Sequence, residues 1–336
     1  MTHVLAVPDK FRGTAAAAGV AAAIAAGAAV AGCTSTELPL SDGGEGLLDV
    51  TGGPNRWSLV TGPLRQPVTA AWRIGEPSAT AVIEMSQASG LVLAGGRDHN
   101  DPLAATTAGV GELILEAVRA GARRIIVGCG GSASTDGGAG ALAAIGSHEQ
   151  LAGVDVVVAC DVTVGFLEAA RRFGPQKGAT PQQVELLERR LSDLADRYAV
   201  ELGRDVRALE GSGAAGGLAG GLAAVGGRLV AGFELVASLV GLEEEIGRAA
   251  ALVTGEGCLD AQSFAGKVVG SVAGCSGDRP LLCVAGRVTL DGHREAMERR
   301  LEVVSLSERF GEERAIARPL ELVTDVVAGW LAKMFP

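Results

Sequence analysis

Short runs of apolar residues, each about the length of a β-strand, recur along the whole chain. Hydrophobicity within these runs is continuous rather than alternating, which is typical of strands that are covered on both faces. Segments with helical patterns separate most of the runs, so the sequence predicts an α/β protein with a largely parallel sheet. The predicted strands are residues 4–7, 81–83, 124–127, 154–160, 251–254, 281–285 and 303–306.

Residues 65–85 show a different pattern. Val68, Ala70 and Trp72 occupy alternate positions, and a second apolar segment follows at 79–85. Alternation is typical of a strand with one buried face, so this region predicts a β-hairpin in a mixed sheet. We therefore expect two different sheets.

The best-defined helix start in the sequence is Thr180-Pro181-Gln182-Gln183. It has the form of a capping box with proline at the first helical position. The apolar residues that follow form one stripe, which predicts a helix that ends near Gly203 and has a structural role.

Composition and charge restrict the classes of function. The 336 residues are 48% hydrophobic, enough for a large core, and the length favours two domains or one enlarged α/β domain. The net charge is −10, aromatic residues make up 3%, and no basic run stands out, which argues against a nucleic-acid partner. A phosphate site in such a chain has to be built locally from backbone N–H groups and a few cations.

Cysteines and histidines indicate neither zinc nor disulfide chemistry. The six cysteines form no Cys-x-x-Cys pair, and none of the four histidines lies near another metal-type ligand. Zinc hydrolysis and histidine-based catalytic triads are therefore poor hypotheses.

Residues 15–32 are uncharged and superficially similar to a signal peptide. Val20, Ile24 and Val30 are the only large apolar residues among them, so an alanine-rich helix packed on a sheet explains the segment equally well. We expect a cytoplasmic enzyme with no membrane partner.

The most informative segment is the glycine-rich loop 128–140, which directly follows a predicted strand. Glycines let backbone N–H groups turn into one concavity, while Ser132, Ser134 and Thr135 add hydroxyl groups and Asp136 adds a carboxylate. This combination suits a phosphate with a nearby Mg²⁺. An ordinary strand-to-helix turn is the alternative interpretation.

Further glycine turns accompany this loop. Residues 41–46 repeat its Asp-Gly-Gly core, and 255–257 follow another apolar run. Asp9, Asp161 and Gly286-Arg287 also come directly after predicted strands. Because ligands of open α/β sheets bind beyond the carboxyl ends of the strands, we expect these segments to converge on one cleft between two domains.

Lysine is rare, since 4 of the 29 basic residues are lysines and 25 are arginines. Lys10, Lys177 and Lys267 lie close to glycine, proline or aspartate residues. A lysine binds phosphate as a compact point charge, so these three are candidate phosphate ligands. The alternative is that they are solvated surface residues.

Together these residues favour phosphoryl transfer. Acids that hold a metal and cations that neutralise the transferring group are what a kinase of a small acid requires, with Asp42 or Asp136 as the base.

No Walker A motif occurs, so this is not an ordinary P-loop enzyme. Residues 128–133 fit Gly-x-Gly-x-x-Ala, which leaves an NAD-dependent oxidoreductase of a small hydroxy acid as one alternative, and a non-catalytic sugar-acid or nucleotide-binding protein as another.

Six blocks in this order resemble the bacterial glycerate kinase type I family over nearly the whole chain. They read VPDKFRG at 7–13, SDGGEG at 41–46, GGSASTDGGAG at 130–140, ACD at 159–161, FGPQKGAT at 173–180 and TGEG at 254–257. Arg12 stands where the family usually has lysine, and Cys258 stands where arginine is common.

The resemblance implies an ATP- and Mg²⁺-dependent kinase that phosphorylates D-glycerate, or a similar hydroxy acid, at the 2-hydroxyl. It also implies a flavodoxin-like parallel-sheet domain formed by both chain ends (residues 1–62 and 230–336) and an inserted α/β domain with a mixed sheet (63–229).

The site residues predicted on these grounds have three roles. Asp42, Asp136 and Lys267 are the candidate catalytic residues, and Asp136 and Glu256 are the candidate Mg²⁺ ligands. The candidate substrate- and phosphate-binding residues are Asp9, Lys10, Arg12, Gly43, Gly44, Glu45, Gly130, Gly131, Ser132, Ser134, Thr135, Gly137, Gly138, Asp161, Gln176, Lys177, Glu256, Asp260, Gln262 and Ser263.

Overall fold

A computed structural model describes residues 2–75 and 79–336, which form eleven strands and fifteen helices. The strands are β1 His3–Ala6, β2 Thr34–Glu37, β3 Arg56–Thr61, β4 Pro67–Gly75, β5 Thr80–Glu84, β6 Arg124–Gly128, β7 Asp155–Cys160, β8 Arg228–Ala231, β9 Ala251–Leu259, β10 Leu281–Val288 and β11 Glu302–Ser305. The helices are α1 Ala17–Val30, α2 Leu47–Val50, α3 Ser86–Ser89, α4 Ala108–Arg119, α5 Ala139–Ile145, α6 Ala169–Phe173, α7 Pro181–Glu201, α8 Leu218–Ala224, α9 Gly232–Val240, α10 Leu242–Arg248, α11 Val268–Cys275, α12 Leu290–Glu298, α13 Leu306–Phe310, α14 Glu312–Ala317 and α15 Pro319–Met334.

The chain forms two compact units. Unit 1 comprises residues 1–42, 49–51 and 233–336, and unit 2 comprises residues 43–48 and 52–232. Residues 43–48, 52–62 and 230–232, which we expected in the domain built from the chain ends, lie in unit 2. Among them, β3 belongs to unit 2 because it pairs with β4.

Unit 1 contains one five-stranded sheet, sheet 1, with the order β2-β1-β9-β10-β11. All neighbouring strands are parallel, and β1 from the start of the chain pairs with β9 from its last third, with Val4 opposite Ala251. Renumbered within the unit, this order is the 2-1-3-4-5 arrangement of flavodoxin-like folds. The predicted parallel-sheet domain formed by both chain ends is confirmed.

Both faces of sheet 1 are buried, as the continuous apolar runs predicted. Val253 and Val284 belong to a core that includes residues of α1 and α15. Cys283 and Ala285 belong to a second core, formed with residues of α11 and α12. Most of the segment 15–32 thus forms the alanine-rich helix α1, which packs in the first of these cores.

Unit 2 contains a six-stranded mixed sheet, sheet 2, with the order β3-β4-β5-β6-β7-β8. The pairs β3/β4 and β4/β5 are antiparallel, and β5 to β8 are parallel. The hairpin predicted within 65–85 is confirmed by the pairing of Gly75 with Thr80, while its residues 76–78 lie outside the described part of the chain. Among the described residues, no helix is both long and apolar enough to cross a bilayer.

Candidate active site

The carboxyl ends of β1 and β9 in unit 1 bring together a set of acidic and basic side chains, the carboxylate–lysine cluster: Asp9, Lys10, Asp42, Glu256, Asp260, Ser263 and Lys267. The backbone N–H of Asp9 donates to the carbonyl of Gly255 on β9 (2.9 Å), which places Asp9 next to Glu256. Since β1 has its neighbours β2 and β9 on opposite sides and the chain crosses in opposite directions to reach them, the cluster lies at the switch point of sheet 1.

Burial and like charge set the protonation of Asp9. Burial, followed by the negative charge of Asp42, raises the pKa of Asp9 to about 6. Lys10 and Lys267 lower the pKa but do not cancel the effect of burial. A carboxyl group with this pKa is part protonated near neutrality, as expected of a general base.

Glu256 is perturbed in the same direction. Burial raises its pKa to about 7, Asp9 and Asp260 also raise it, and a hydrogen bond with Ser263 and the charge of Lys267 oppose the shift. Glu256 Oε1 is buried and has no hydrogen-bond partner among the described residues. An unpaired buried carboxylate oxygen is costly, so it fits a cation or ligand donor that the protein binds.

Asp260 shapes the turn that leads to Lys267. Its Oδ1 accepts from the backbone N–H groups of Gln262 (2.8 Å) and Ser263 (3.1 Å), and Ser263 Oγ accepts from the Asp260 N–H (3.0 Å). This reciprocal capping fixes residues 260–263, after which Lys267 immediately precedes α11. Asp260 and Ser263 therefore act on the backbone of the cluster, and Gln262 contributes its N–H to it.

A glycine on β9 allows the segment after β1 to approach the strand. A Cβ atom at Gly257 would lie 2.9 Å from the backbone nitrogen of Arg12, too close for any side chain. Arg12 also lines a cavity in unit 1.

In unit 2, the loop 128–140 is held by its own carboxylate. Asp136 accepts five hydrogen bonds: from the backbone N–H groups of Thr107 (2.8 Å), Gly138 (3.1 Å) and Gly140 (3.2 Å), and from the Thr107 hydroxyl at both oxygens (2.8 and 3.1 Å). Asp136 thus joins the starts of α4 and α5. Because both oxygens are occupied, this geometry favours a positioning role over the predicted roles as base and Mg²⁺ ligand.

Lys177 is buried rather than presented to solvent. Its exposed fraction is 2%, and Nζ donates to the carbonyl oxygen of Ser134 at 2.6 Å. Burial lowers the pKa of Lys177 to about 7, although Asp136 opposes the shift. Asn100, which the sequence did not indicate, donates to the carbonyls of Ala133 (3.1 Å) and Lys177 (2.9 Å). The buried hydrogen bonds of Lys177 and Asn100 therefore also fix the loop 128–140.

The hydroxyls that the sequence predicted to bind phosphate are mostly enclosed. Ser134 and Thr135 are 0% and 2% exposed, and their hydroxyl oxygens have no hydrogen-bond partner among the described residues. Ser132 is also buried. The hydroxyl of Tyr198 donates to the Gly137 carbonyl (3.0 Å), a further contact within the loop that the sequence did not predict.

The turn 43–46 packs directly on the same loop. A Cβ at Gly130 would lie 2.9 Å from the Gly44 Cα, and a Cβ at Gly131 would lie 2.1 Å from Glu45 Oε1. Gly130 therefore lies against the backbone of Gly44, and Gly131 lies against the side chain of Glu45. Glu84 at the end of β5 is buried and accepts from the Gly46 N–H (2.9 Å), an anchor that no sequence motif marked.

The remaining predicted residues lie apart from these contacts. Asp161 follows β7 and is half-buried, and Gln176 is exposed in the turn that ends at Lys177. Within residues 2–75 and 79–336, no three His, Cys, Asp or Glu side chains are arranged to hold a metal ion. Of the two predicted Mg²⁺ ligands, Glu256 has a buried oxygen without a hydrogen-bond partner, whereas both oxygens of Asp136 accept hydrogen bonds.

A flavodoxin-like sheet with lysines and carboxylates at its switch point is compatible with phosphoryl transfer. A sequence profile of the glycerate kinase family matches residues 4–149 and 146–334. A glycerate 2-kinase from Escherichia coli is 38% identical over 328 residues, and a glycerate kinase from Bacillus subtilis is 38% identical over 330 residues, each comparison covering 86% of both chains. An uncharacterised protein of Mycobacterium bovis is 42% identical over 327 residues, 93% of this chain and 86% of that protein.

The fold comparison agrees with the sequence comparisons. A crystal structure from Salmonella typhimurium, assigned as a glycerate kinase 2, superposes with a TM-score of 0.80 at 32% identity and covers 99% of both chains. The chain belongs to the glycerate kinase family and is a kinase. Neither the oxidoreductase nor the non-catalytic alternative is favoured by these findings.

Proposed function

We propose that this protein transfers the γ-phosphoryl group of ATP to the 2-hydroxyl of D-glycerate with Mg²⁺. The family match and the E. coli relative, which is named a glycerate 2-kinase, support the substrate and the position. The observation that supports the chemistry most directly is the carboxylate–lysine cluster. It combines two carboxyl groups that titrate near neutrality with two lysines within range of their charge.

The cluster supplies charge neutralisation and a proton acceptor. Lys267, the proposed catalytic cation, and Lys10 stabilise negative charge on the transferring group. Asp9 accepts the proton of the acceptor hydroxyl, because burial and the nearby charge of Asp42 raise its pKa to about 6. Glu256 would hold Mg²⁺ through the unpaired Oε1, and the metal would neutralise phosphate charge when bound.

Unit 2 has backbone N–H groups of its own that suit an anion. We assign anion binding to Gly43, Gly44, Glu45, Gly130 and Gly131, where close packing leaves main-chain N–H groups close together. Asp136 and Lys177 are positioning residues that hold the loop through Thr107 and Ser134. Removing either is therefore expected to affect stability as well as rate.

The decisive experiment measures ADP release with ATP, Mg²⁺ and a panel of small hydroxy acids, and identifies the product by phosphorus NMR. We expect turnover with D-glycerate and phosphate on the 2-hydroxyl. Lys267→Met should lower kcat by about 100-fold or more, while the exposed Lys333→Met serves as the matched control. A 3-phosphate product would contradict the proposed position, and equal rates for both variants would contradict the role of Lys267.

A further inference from the structure

Unit 1 has a cavity of about 290 Å³ beside the ends of β9 and β10. Residues that follow β1, both of these strands and α14 line it, so it lies at the same edge of sheet 1 as the carboxylate–lysine cluster. Its lining includes Arg12, Thr14, Gly257, Gly286, Glu312 and Ile316.

One wall of the cavity is made of main chain. Gly257 on β9 and Gly286 on β10 lie side by side, and a Cβ at Gly286 would lie 2.6 Å from the Gly257 carbonyl oxygen. No side chain can therefore stand at either position, and the wall stays flat. Ile316 on α14 also borders the cavity and is 59% exposed. Together they make a slot with apolar surface.

Polar groups border the same slot. Arg12 supplies positive charge, and Glu312 takes part in no ion pair among the described residues. The Thr14 hydroxyl donates to the Phe11 carbonyl (3.0 Å), which leaves its oxygen able to accept. A few placed polar groups around an apolar slot are typical of small-ligand sites.

We propose that this cavity binds the purine nucleoside part of the nucleotide, an inference that rests on the proposed function. A flat base would lie between the glycine wall and Ile316, and Glu312 would accept hydrogen bonds from ribose hydroxyls. Lys10, two residues before Arg12 in the chain, and Glu256, one residue before Gly257, extend from the cavity to the cluster that binds phosphate.

A second cavity of similar volume, about 310 Å³, lies in unit 2 between α7 and Asp136. Both of its arginines are already engaged: Arg197 pairs with Glu201 at 3.3 Å, and Arg190 donates to the Leu103 carbonyl at 2.9 Å. This leaves fewer groups to recognise a nucleotide there, so it is the competing site that an experiment has to exclude.

The test measures the affinity of the full-length protein for Mg²⁺–ADP by calorimetry, without any acceptor. Ile316→Glu places a charge in the slot and should weaken ADP binding at least tenfold, whereas Ile316→Leu should retain it. Leu290→Glu, at an 86% exposed position on α12, controls for added surface charge. Unchanged ADP affinity in Ile316→Glu overturns the proposal.

Photolabelling with 8-azido-ADP gives an independent readout. We expect the label on peptides containing residues 11–14 or 312–316, and a label on residues 187–197 would overturn the proposal in favour of the unit 2 cavity. Neither experiment uses glycerate. If ADP binds at the slot but the protein does not phosphorylate glycerate, only the proposed acceptor is refuted. If the protein phosphorylates glycerate and Ile316→Glu leaves the ADP affinity unchanged, only the proposed nucleoside site is refuted.

Discussion

At the scale of single residues, burial decides which carboxyl group can accept a proton. Asp9 and Asp42 are both short acids beside glycine or proline in the sequence, and the pattern gave no reason to prefer Asp9. In the folded chain Asp9 is largely enclosed next to Asp42 and Glu256, and this raises its pKa to about 6. Enclosure depends on strands that are far apart in the sequence, so the residue pattern alone could not indicate it.

Asp42→Asn separates the two candidate bases. Asp42 raises the pKa of Asp9 through like charge, so removing that charge should lower the pKa of Asp9. If Asp9 is the base, the acid limb of kcat/KM between pH 5 and 9 moves to lower pH, and kcat/KM at pH 8 falls by less than about tenfold.

The contrary outcome for this variant is equally specific. If Asp42 takes the proton, kcat/KM falls by about 100-fold or more at every pH and the limb does not move. Asp49→Asn, at an exposed position on α2, provides the control for loss of one negative charge.

At the scale of elements, the glycine loop 128–140 is an internally braced connection. The sequence located it correctly after a strand and before a helix, since β6 ends at Gly128 and α5 begins at Ala139. The capping box at Thr180 and the helix it opens are also confirmed, because Thr180 and Gln183 exchange hydrogen bonds at the start of α7. Both signals are local, which is why they could be predicted.

Elements without a local signal were missed. The edge strands β2 and β3 have no long apolar run, and β8 is a four-residue edge strand with Arg228 at its start. An edge strand has only one strand neighbour and needs less apolar sequence, so pairing rather than pattern defines it. The partners Glu84, Asn100 and Thr107 were missed for the same reason, since each contacts a segment at least 29 residues away or on another element.

Lys177→Met tests the bracing of the loop through the pH dependence of stability. The pKa of Lys177 is lowered to about 7 in the folded protein, so between pH 7 and 10 the unfolded chain binds more protons. The contribution of Lys177 to the free energy of unfolding therefore rises with pH across this window, by at most about 1.4 kcal/mol per pH unit.

Urea unfolding at several pH values measures this difference. We expect the stability of the unmodified protein relative to Lys177→Met to increase from pH 7 to 9.5. The exposed Lys333→Met should show no such trend. A constant difference between the unmodified protein and Lys177→Met would mean that the buried amine does not titrate in this range.

At the scale of the whole molecule, the two ends of the chain complete one core. Helix α1 from the start of the chain packs on α15 from its end, and Thr324 Oγ1 donates to the Ala23 carbonyl (3.0 Å). Gly27 permits this approach, because a Cβ there would lie 2.7 Å from the Thr324 carbonyl oxygen. The alanine and glycine content of residues 15–32 is thus explained by close helix packing.

Gly27→Ala should destabilise unit 1 although alanine favours helices. The added methyl group meets backbone and Val327 at under 3 Å, and we expect a loss of about 1–3 kcal/mol in the free energy of unfolding. Gly19→Ala in the same helix meets only Leu320, at 3.6 Å, and should be neutral or stabilising by up to about 1 kcal/mol. Equal thermal unfolding midpoints for both variants would contradict tight packing of α1 on α15.

The sequence by itself determined the α/β class, most of the buried strands, the two kinds of sheet, the glycine loops and the family. These depend on local patterns of hydrophobicity, on turn residues and on short motifs, which need no knowledge of distant contacts. Only the tertiary structure decided that Asp136 and Lys177 brace a loop, that Asp9 and Glu256 titrate near neutrality, and that a slot lies beside Gly257 and Gly286. Each of these depends on burial and on neighbours from distant parts of the chain, and burial exists only once the chain is folded.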